Sequence, residues 1–120
     1  MAIERLQRMV ADFVSERGWA GFHTPKNLVM ALTGEVGELA ELFQWLTDDQ
    51  SRALMGNSTR RARVEEEVAD VFIYLLRLAD VLEIDLVAAV EAKVLKNAER
   101  YPIEQVYGRA VKYSELDSER

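Results

Sequence analysis

Two short acidic spacings, Glu35-x-x-Glu38 and Glu67-x-x-Asp70, carry the chemistry of this 120-residue chain. Residues three apart on a helix are surface neighbours, so each pair presents two carboxylates together. At about 100° per residue, Leu28, Leu32, Leu39, Leu42 and Leu46 fall within roughly 40° of one line, and Glu35 falls inside that apolar sector. Glu38 lies at the edge of the sector, about 80° from its centre. Farther along, Val64, Val68, Val71, Leu75, Leu78 and Leu82 define a second stripe, which Glu67 and Asp70 flank at about 60° and 120°, with Tyr74 on the same side. Most acidic helix residues are simply solvated, and Glu41, Glu65 and Glu66 read that way. Glu35 does not. A lone ionised carboxylate facing a core is costly to desolvate and calls for a cation or a proton. Gly34 and Gly37 surround it, and mid-helix glycine costs about 0.8 to 1 kcal/mol relative to alanine, which points to a close approach by a helix or by a ligand.

Four carboxylates gathered from two helices make a hard, all-oxygen ligand set. The chain has no cysteine and one histidine, so such a cluster selects Mg²⁺ or Mn²⁺ over zinc. Carboxylate-bridged di-iron bundles use Glu-x-x-His motifs, and none is present. Magnesium is usually shared between carboxylates and phosphates, which makes a phosphate-bearing ligand the natural partner. A further helix places Leu86, Val90, Lys93, Asn97 and Arg100 within roughly 40° of one line, so one face changes from apolar to cationic. Lys93 and Arg100 suit phosphate; they equally suit the negative end of their own helix. Trp19, Phe22, His23 and Trp45 form an aromatic set that could stack on a nucleobase, worth roughly 1 to 3 kcal/mol per base. Phe22 reads as core, and His23 reads either as a ligand contact or as a hydrogen-bonding loop residue.

The elements that must position these groups are helices. Apolar residues recur at spacings of three and four with almost no strand-like alternation, and two prolines and six glycines punctuate the chain. The pattern predicts a first helix over about Ile3 to Arg17 ending at Gly18, and a loop from Gly18 to His23. A second helix starts at Thr24-Pro25 and reaches about Leu46. Residues 47–59 form a connector with one short helix, capped by Asp48-Asp49 and ended at Gly56-Asn57. A third helix follows over about Arg60 to Leu82, and a fourth, capped by Asp85, over Leu86 to about Arg100 before Pro102. Residues 103–120 lose periodicity. The expectation is one all-α domain over residues 1–120, a four-helix bundle-like subunit with a less regular C-terminal tail.

Composition narrows the function. With 49% apolar and 30% charged residues the chain has material for a core, and charges every few positions exclude a membrane span and a secretory leader, so the sequence reads as cytoplasmic. Fifteen basic against 21 acidic residues leave a net charge of -6, which works against a nucleic-acid polymer as partner. Phe72, Ile73 and Leu76 fall outside the main stripe of the third helix, and self-association would cover them.

Four blocks, FHTPKNLVMALTGEVGELAELFQW (Phe22 to Trp45), EEVADVFIYLLRLAD (Glu66 to Asp80), KVLKNAERYP (Lys93 to Pro102) and KYSEL (Lys112 to Leu116), resemble the MazG-like all-α nucleoside triphosphate pyrophosphohydrolase superfamily, in its dCTP pyrophosphatase branch. The resemblance covers the chain from about Phe13 to Leu116. It implies an all-helical homodimer or homotetramer that hydrolyses a nucleoside triphosphate, dCTP or a modified dCTP, to the monophosphate and pyrophosphate. It also implies that Glu35, Glu38, Glu67 and Asp70 are Mg²⁺ ligands, with Lys93, Asn97, Arg100 and Tyr101 on the phosphates. Trp19, His23, Trp45 and Tyr74 would line the base and sugar pocket. One position departs: Val10 stands where some members of the branch carry a base-contacting histidine. A free carboxylate of the cluster would accept the proton from water; Glu38 and Glu35 are the candidates, Glu38 being favoured because it lies at the edge of its stripe, and the sequence does not separate base from ligand. The competing reading is a non-catalytic helical oligomerisation or nucleotide-sensing module, which would have no use for a buried Glu35.

Overall fold

Thr24, in extended backbone, accepts a hydrogen bond from the Asn27 amide (3.2 Å) just ahead of Pro25, satisfying one of the orphan donors at a helix start. Caps of this kind divide the chain in the computed structural model, which describes residues 2–118. The helices are α1 (Ala2–Glu16), α2 (Pro25–Glu41), α3 (Asp48–Ala53), α4 (Ser58–Val81), α5 (Leu86–Arg100), α6 (Ile103–Val106) and α7 (Tyr113–Ser118), with 3₁₀ turns at Ala20–Phe22 and Leu54–Gly56. No strand occurs among the described residues, and the all-α expectation holds.

Three boundaries differ from the sequence reading, each for a local reason. α2 ends at Glu41 rather than Leu46, because its last amides turn to tighter bonds, Leu42 to the Leu39 carbonyl (3.1 Å) and Phe43 to that of Ala40 (3.0 Å). Thr47, not the aspartate pair, caps α3, through a capping box in which its hydroxyl accepts from the Gln50 amide and its own amide donates to Gln50 Oε1. Asn57 both closes the preceding 3₁₀ turn and starts α4, its Oδ1 accepting from the Arg60 amide (3.0 Å). Beyond Pro102 the chain forms α6 and α7, of 4 and 6 residues, too short to register as a 3.6-residue period. Gly18 closes α1 at φ +65°, a conformation that favours glycine.

The described chain divides at Ile84 and Asp85 into two compact units. In the first, α4 packs against both α2 and α1. The α2–α4 pair is antiparallel: Glu35 and Glu38 meet Glu67, whereas Glu41 and Leu42 share a cavity with Arg63 and Val64. Val14, Leu28, Leu54, Val64, Leu76 and Ala79 form its buried core. Leu76, expected outside the stripe, is therefore core; α1 lies across that face, and Gln7 Nε2 donates to the Leu76 carbonyl (3.3 Å). Two partners rotate the buried sector of α4 away from its simple stripe, leaving Val68 50% and Leu82 46% exposed. Phe22, expected in the core, is 70% exposed on its 3₁₀ turn. A Cβ at Gly34 or Gly37 would meet nothing within 4 Å, so these glycines do not serve a close helix approach.

In the second unit, the Tyr101 ring meets Tyr113 edge-on (6.1 Å), the Arg100 guanidinium stands 5.4 Å from the Tyr113 ring, and Leu116 is fully buried. No helix among the described residues is long and apolar enough to cross a membrane.

Candidate active site

Helix α2 presents Glu35 and Glu38 one turn apart, and α4 brings Glu67 to them from the opposing helix. One carboxylate oxygen from each of the three lies within 4.8 Å of the other two. Glu35 and Glu67 are half-buried and Glu38 is exposed, while Oε2 of Glu35 and Oε2 of Glu67 are buried with no hydrogen-bond partner. Asp70, half-buried on the next turn of α4, lies outside this trio, but its charge reaches it. Burial first, then the charges of Glu38 and Asp70, pushes the Glu35 carboxyl above its ordinary value. Burial and the charge of Glu38 do the same to Glu67, against a smaller opposing pull from Arg63. Two orphaned oxygens among mutually repelling carboxylates fit a divalent cation, since such an ion supplies the missing partner and reverses the repulsion.

The raised acids set the sign of a pH effect in the metal-free protein. A carboxyl whose folded pKa exceeds its unfolded value of 4.5 stabilises the fold fully below that pH, and the contribution fades as pH rises through the folded value. In chelator, therefore, the melting temperature of the wild type should fall more steeply with rising pH above 4.5 than that of Glu35→Gln, which carries no proton to lose. Parallel melting profiles would show that Glu35 is not strained by its neighbours.

The other residues singled out in the sequence lie in both units. Trp19, 44% exposed, packs edge-on against Phe13 (5.8 Å), Trp45 is 86% exposed in the turn after α2, and Tyr74 is half-buried on α4. His23 is half-buried, and its Nδ1 accepts from Arg77 Nε (3.2 Å). That bond places the proton of the neutral ring on Nε2. Burial and then the Arg77 charge hold the imidazole below its usual range, favouring this neutral form. In the second unit Lys93 is exposed, while Asn97, Arg100 and Tyr101 are half-buried.

Sequence reasoning missed Arg77, whose side chain is only 14% exposed and also reaches Asp80 Oδ2 (3.5 Å). Its signal was a cation interrupting the apolar run of α4. Arg60 and Arg63 were missed as well; with Glu41 they line a cavity of about 230 Å³, and nothing in their spacing distinguishes them from a solvated face.

Comparison with known proteins agrees with this architecture. The chain is 46% identical over 114 residues to dCTP pyrophosphatase 1 of Rattus norvegicus, covering 95% of this chain and 67% of that protein. The corresponding human protein is also 46% identical over the same shares. A crystal structure of a pyrophosphatase from Archaeoglobus fulgidus DSM 4304 superposes with a TM-score of 0.79 at 44% identity, covering 85% of this chain and 94% of that one. The MazG-like family profile matches residues 31–116, a span that takes in all four acids as well as Lys93, Asn97 and Arg100. By sequence and by helical architecture, this chain belongs to the MazG-like family.

Proposed function

We propose that the chain is a Mg²⁺-dependent nucleoside triphosphate pyrophosphohydrolase that converts dCTP or a 5-modified dCTP to the monophosphate and pyrophosphate. The observation that carries this reading is the pair of buried, partnerless oxygens on Glu35 and Glu67 beside Glu38. The dCTP pyrophosphatase 1 relatives support the substrate. Glu35, Glu38, Glu67 and Asp70 hold the metal. Bound there, Mg²⁺ offsets phosphate charge and lowers the pKa of water. Glu38, exposed at the edge of the trio, accepts the proton of the attacking water. Lys93, Asn97, Arg100 and Tyr101 are assigned the phosphates, and Trp19, His23, Trp45 and Tyr74 the base and sugar. His23 contributes an Nε2–H donor, held in that tautomer by Arg77.

The direct test is pyrophosphate release from the four standard and the 5-modified deoxynucleoside triphosphates, with and without Mg²⁺. Release should require the metal and be fastest for the cytosine nucleotides. Absence of release from every triphosphate would defeat the reading.

The subunit works as a homodimer or homotetramer in this proposal. Met9, Phe13 and Ile73, 56%, 47% and 41% exposed, together with Val10 line an apolar groove of about 220 Å³ where α1 meets α4. Such a patch is covered in most soluble proteins. Light scattering at micromolar concentration should give the mass of two or four chains, and a monomer would count against the assembly.

A further inference from the structure

One side of α4 carries a polar line. Glu67, Asp70, Tyr74 and Arg77 fall within roughly 80° of one another around the helix, and all four are half-buried. Both ends of the line meet α2 or its lead-in: Glu67 joins Glu35 and Glu38, and Arg77 Nε donates to Nδ1 of His23 (3.2 Å), the residue before the α2 cap. Ten residues of helix set these ends about 15 Å apart along α4, with Tyr74 between them. Asp80 Oδ2 stands 3.5 Å from Nη1 of the same guanidinium and helps to anchor it. Arginine is always charged and offers donors only, so the ring nitrogen facing it must be bare, which excludes both the imidazolium and the Nδ1–H tautomer. Nε2 of His23 is not buried and has no hydrogen-bond partner among the described residues. The end of the line away from the acids is thus one N–H donor of fixed identity, open to a ligand.

A fixed donor reads an acceptor. On the hydrogen-bonding edge of a pyrimidine, O2 accepts in every case, so a donor there distinguishes nothing. Position 4 accepts in uracil and thymine, so a donor there disfavours cytosine. N3 is a bare acceptor in cytosine and an N–H in the other two, and there alone a single donor selects cytosine. We propose that Arg77 is a positioning residue for base selection: by holding His23 as an Nε2–H donor, it makes this end of the α2–α4 pair accept N3 of cytosine and reject the N3–H of uracil and thymine. The assignment rests on the pyrophosphohydrolase reading, which gives His23 to the base. With the wrong base two donors face each other and both go unpaired. A ring released from Arg77 takes either tautomer, and its bare Nε2 then accepts from N3–H, so selection falls while the distant acids are untouched.

His23 is the only histidine in the chain, so its ring nitrogens are read by NMR without ambiguity. Long-range ¹H–¹⁵N spectra of the nucleotide-free protein at neutral pH should show a protonated Nε2 and a bare Nδ1. Arg77→Leu should show both tautomers, and Arg77→Lys, which still offers a donor, should restore the wild-type pattern. Calorimetry with non-hydrolysable dCTP and dUTP analogues in Mg²⁺ then measures selection without turnover. The preference for the cytosine analogue should drop roughly tenfold in Arg77→Leu, the loss of about one hydrogen bond, and return in Arg77→Lys. A damaged fold would weaken both analogues alike. An Nδ1–H ring in the wild type, or an unchanged preference or equal losses in Arg77→Leu, would overturn the proposal. An arginine-dependent cytosine preference in a chain that releases no pyrophosphate would uphold the role of Arg77 and sink the hydrolase reading. Intact turnover with an arginine-independent preference would do the reverse.

Discussion

Glu35→Gln is expected to lose turnover while its metal-free form melts no lower than the wild type. The two halves of this result follow from one arrangement. Glu35 sits on the apolar face of α2, its Oε2 is buried without a partner, and burial together with Glu38 and Asp70 disfavours its ionised form. Replacing it with an uncharged amide of the same shape removes a repulsive charge, so the empty fold relaxes. The same replacement removes a carboxylate oxygen from the trio proposed to hold the metal. Loss of a group that merely orients a metal ligand costs roughly 10- to 100-fold in affinity or activity, and loss of the ligand itself should exceed that. Pyrophosphate release and thermal melting in chelator, measured on one preparation, check both halves. Retained activity, or a sharp fall in melting temperature, would show that Glu35 is structural.

Divalent metal and triphosphate should each strengthen the binding of the other, by about 5- to 150-fold, the usual range of coupling between two sites. The chain carries a net charge of -6, and the acid trio adds its own local repulsion, so a triphosphate without metal meets a negative site. A divalent cation held by the acids would supply the positive charge that turns this repulsion into attraction. Reciprocity makes the test strict: calorimetry with a non-hydrolysable dCTP analogue must return the same factor whether metal or nucleotide is added first. Deoxycytidine, which carries no phosphate, should bind weakly with or without the ion. An analogue that bound equally well in excess chelator would remove the acids from the role of metal site and bring the non-catalytic module back into view.

Much of the fold was legible because its signals are local. Thr24-Pro25 and Asp85 start helices through bonds to amides three residues away, and a reader of the chain needs only those few residues. The same holds for the acids: Glu35 declares itself by occupying a leucine phase, which the period of one helix is enough to reveal. Boundaries set by competing local choices were harder. Asn57 could end one turn or begin the next helix, and its extended backbone does both.

By itself, then, the sequence determined that the chain is helical, that α2 and α4 each carry an acidic pair near an apolar face, and that with no cysteine and one histidine its metal-ligating groups are carboxylates. Periodicity, caps and residue type contain that information directly. The tertiary structure decided which oxygens meet: Glu67 joins Glu35 and Glu38, with Asp70 one turn further along α4 and near enough for its charge to act on Glu35. It also decided that Leu76 is core and Phe22 is not, that Arg77 holds His23 across 54 residues of sequence, and that Arg60 and Arg63 share a cavity with Glu41. These depend on the register and rotation of one helix against another. A slide of one turn, about 5.4 Å, or a small roll about the axis changes every such contact while leaving each helix's own pattern intact.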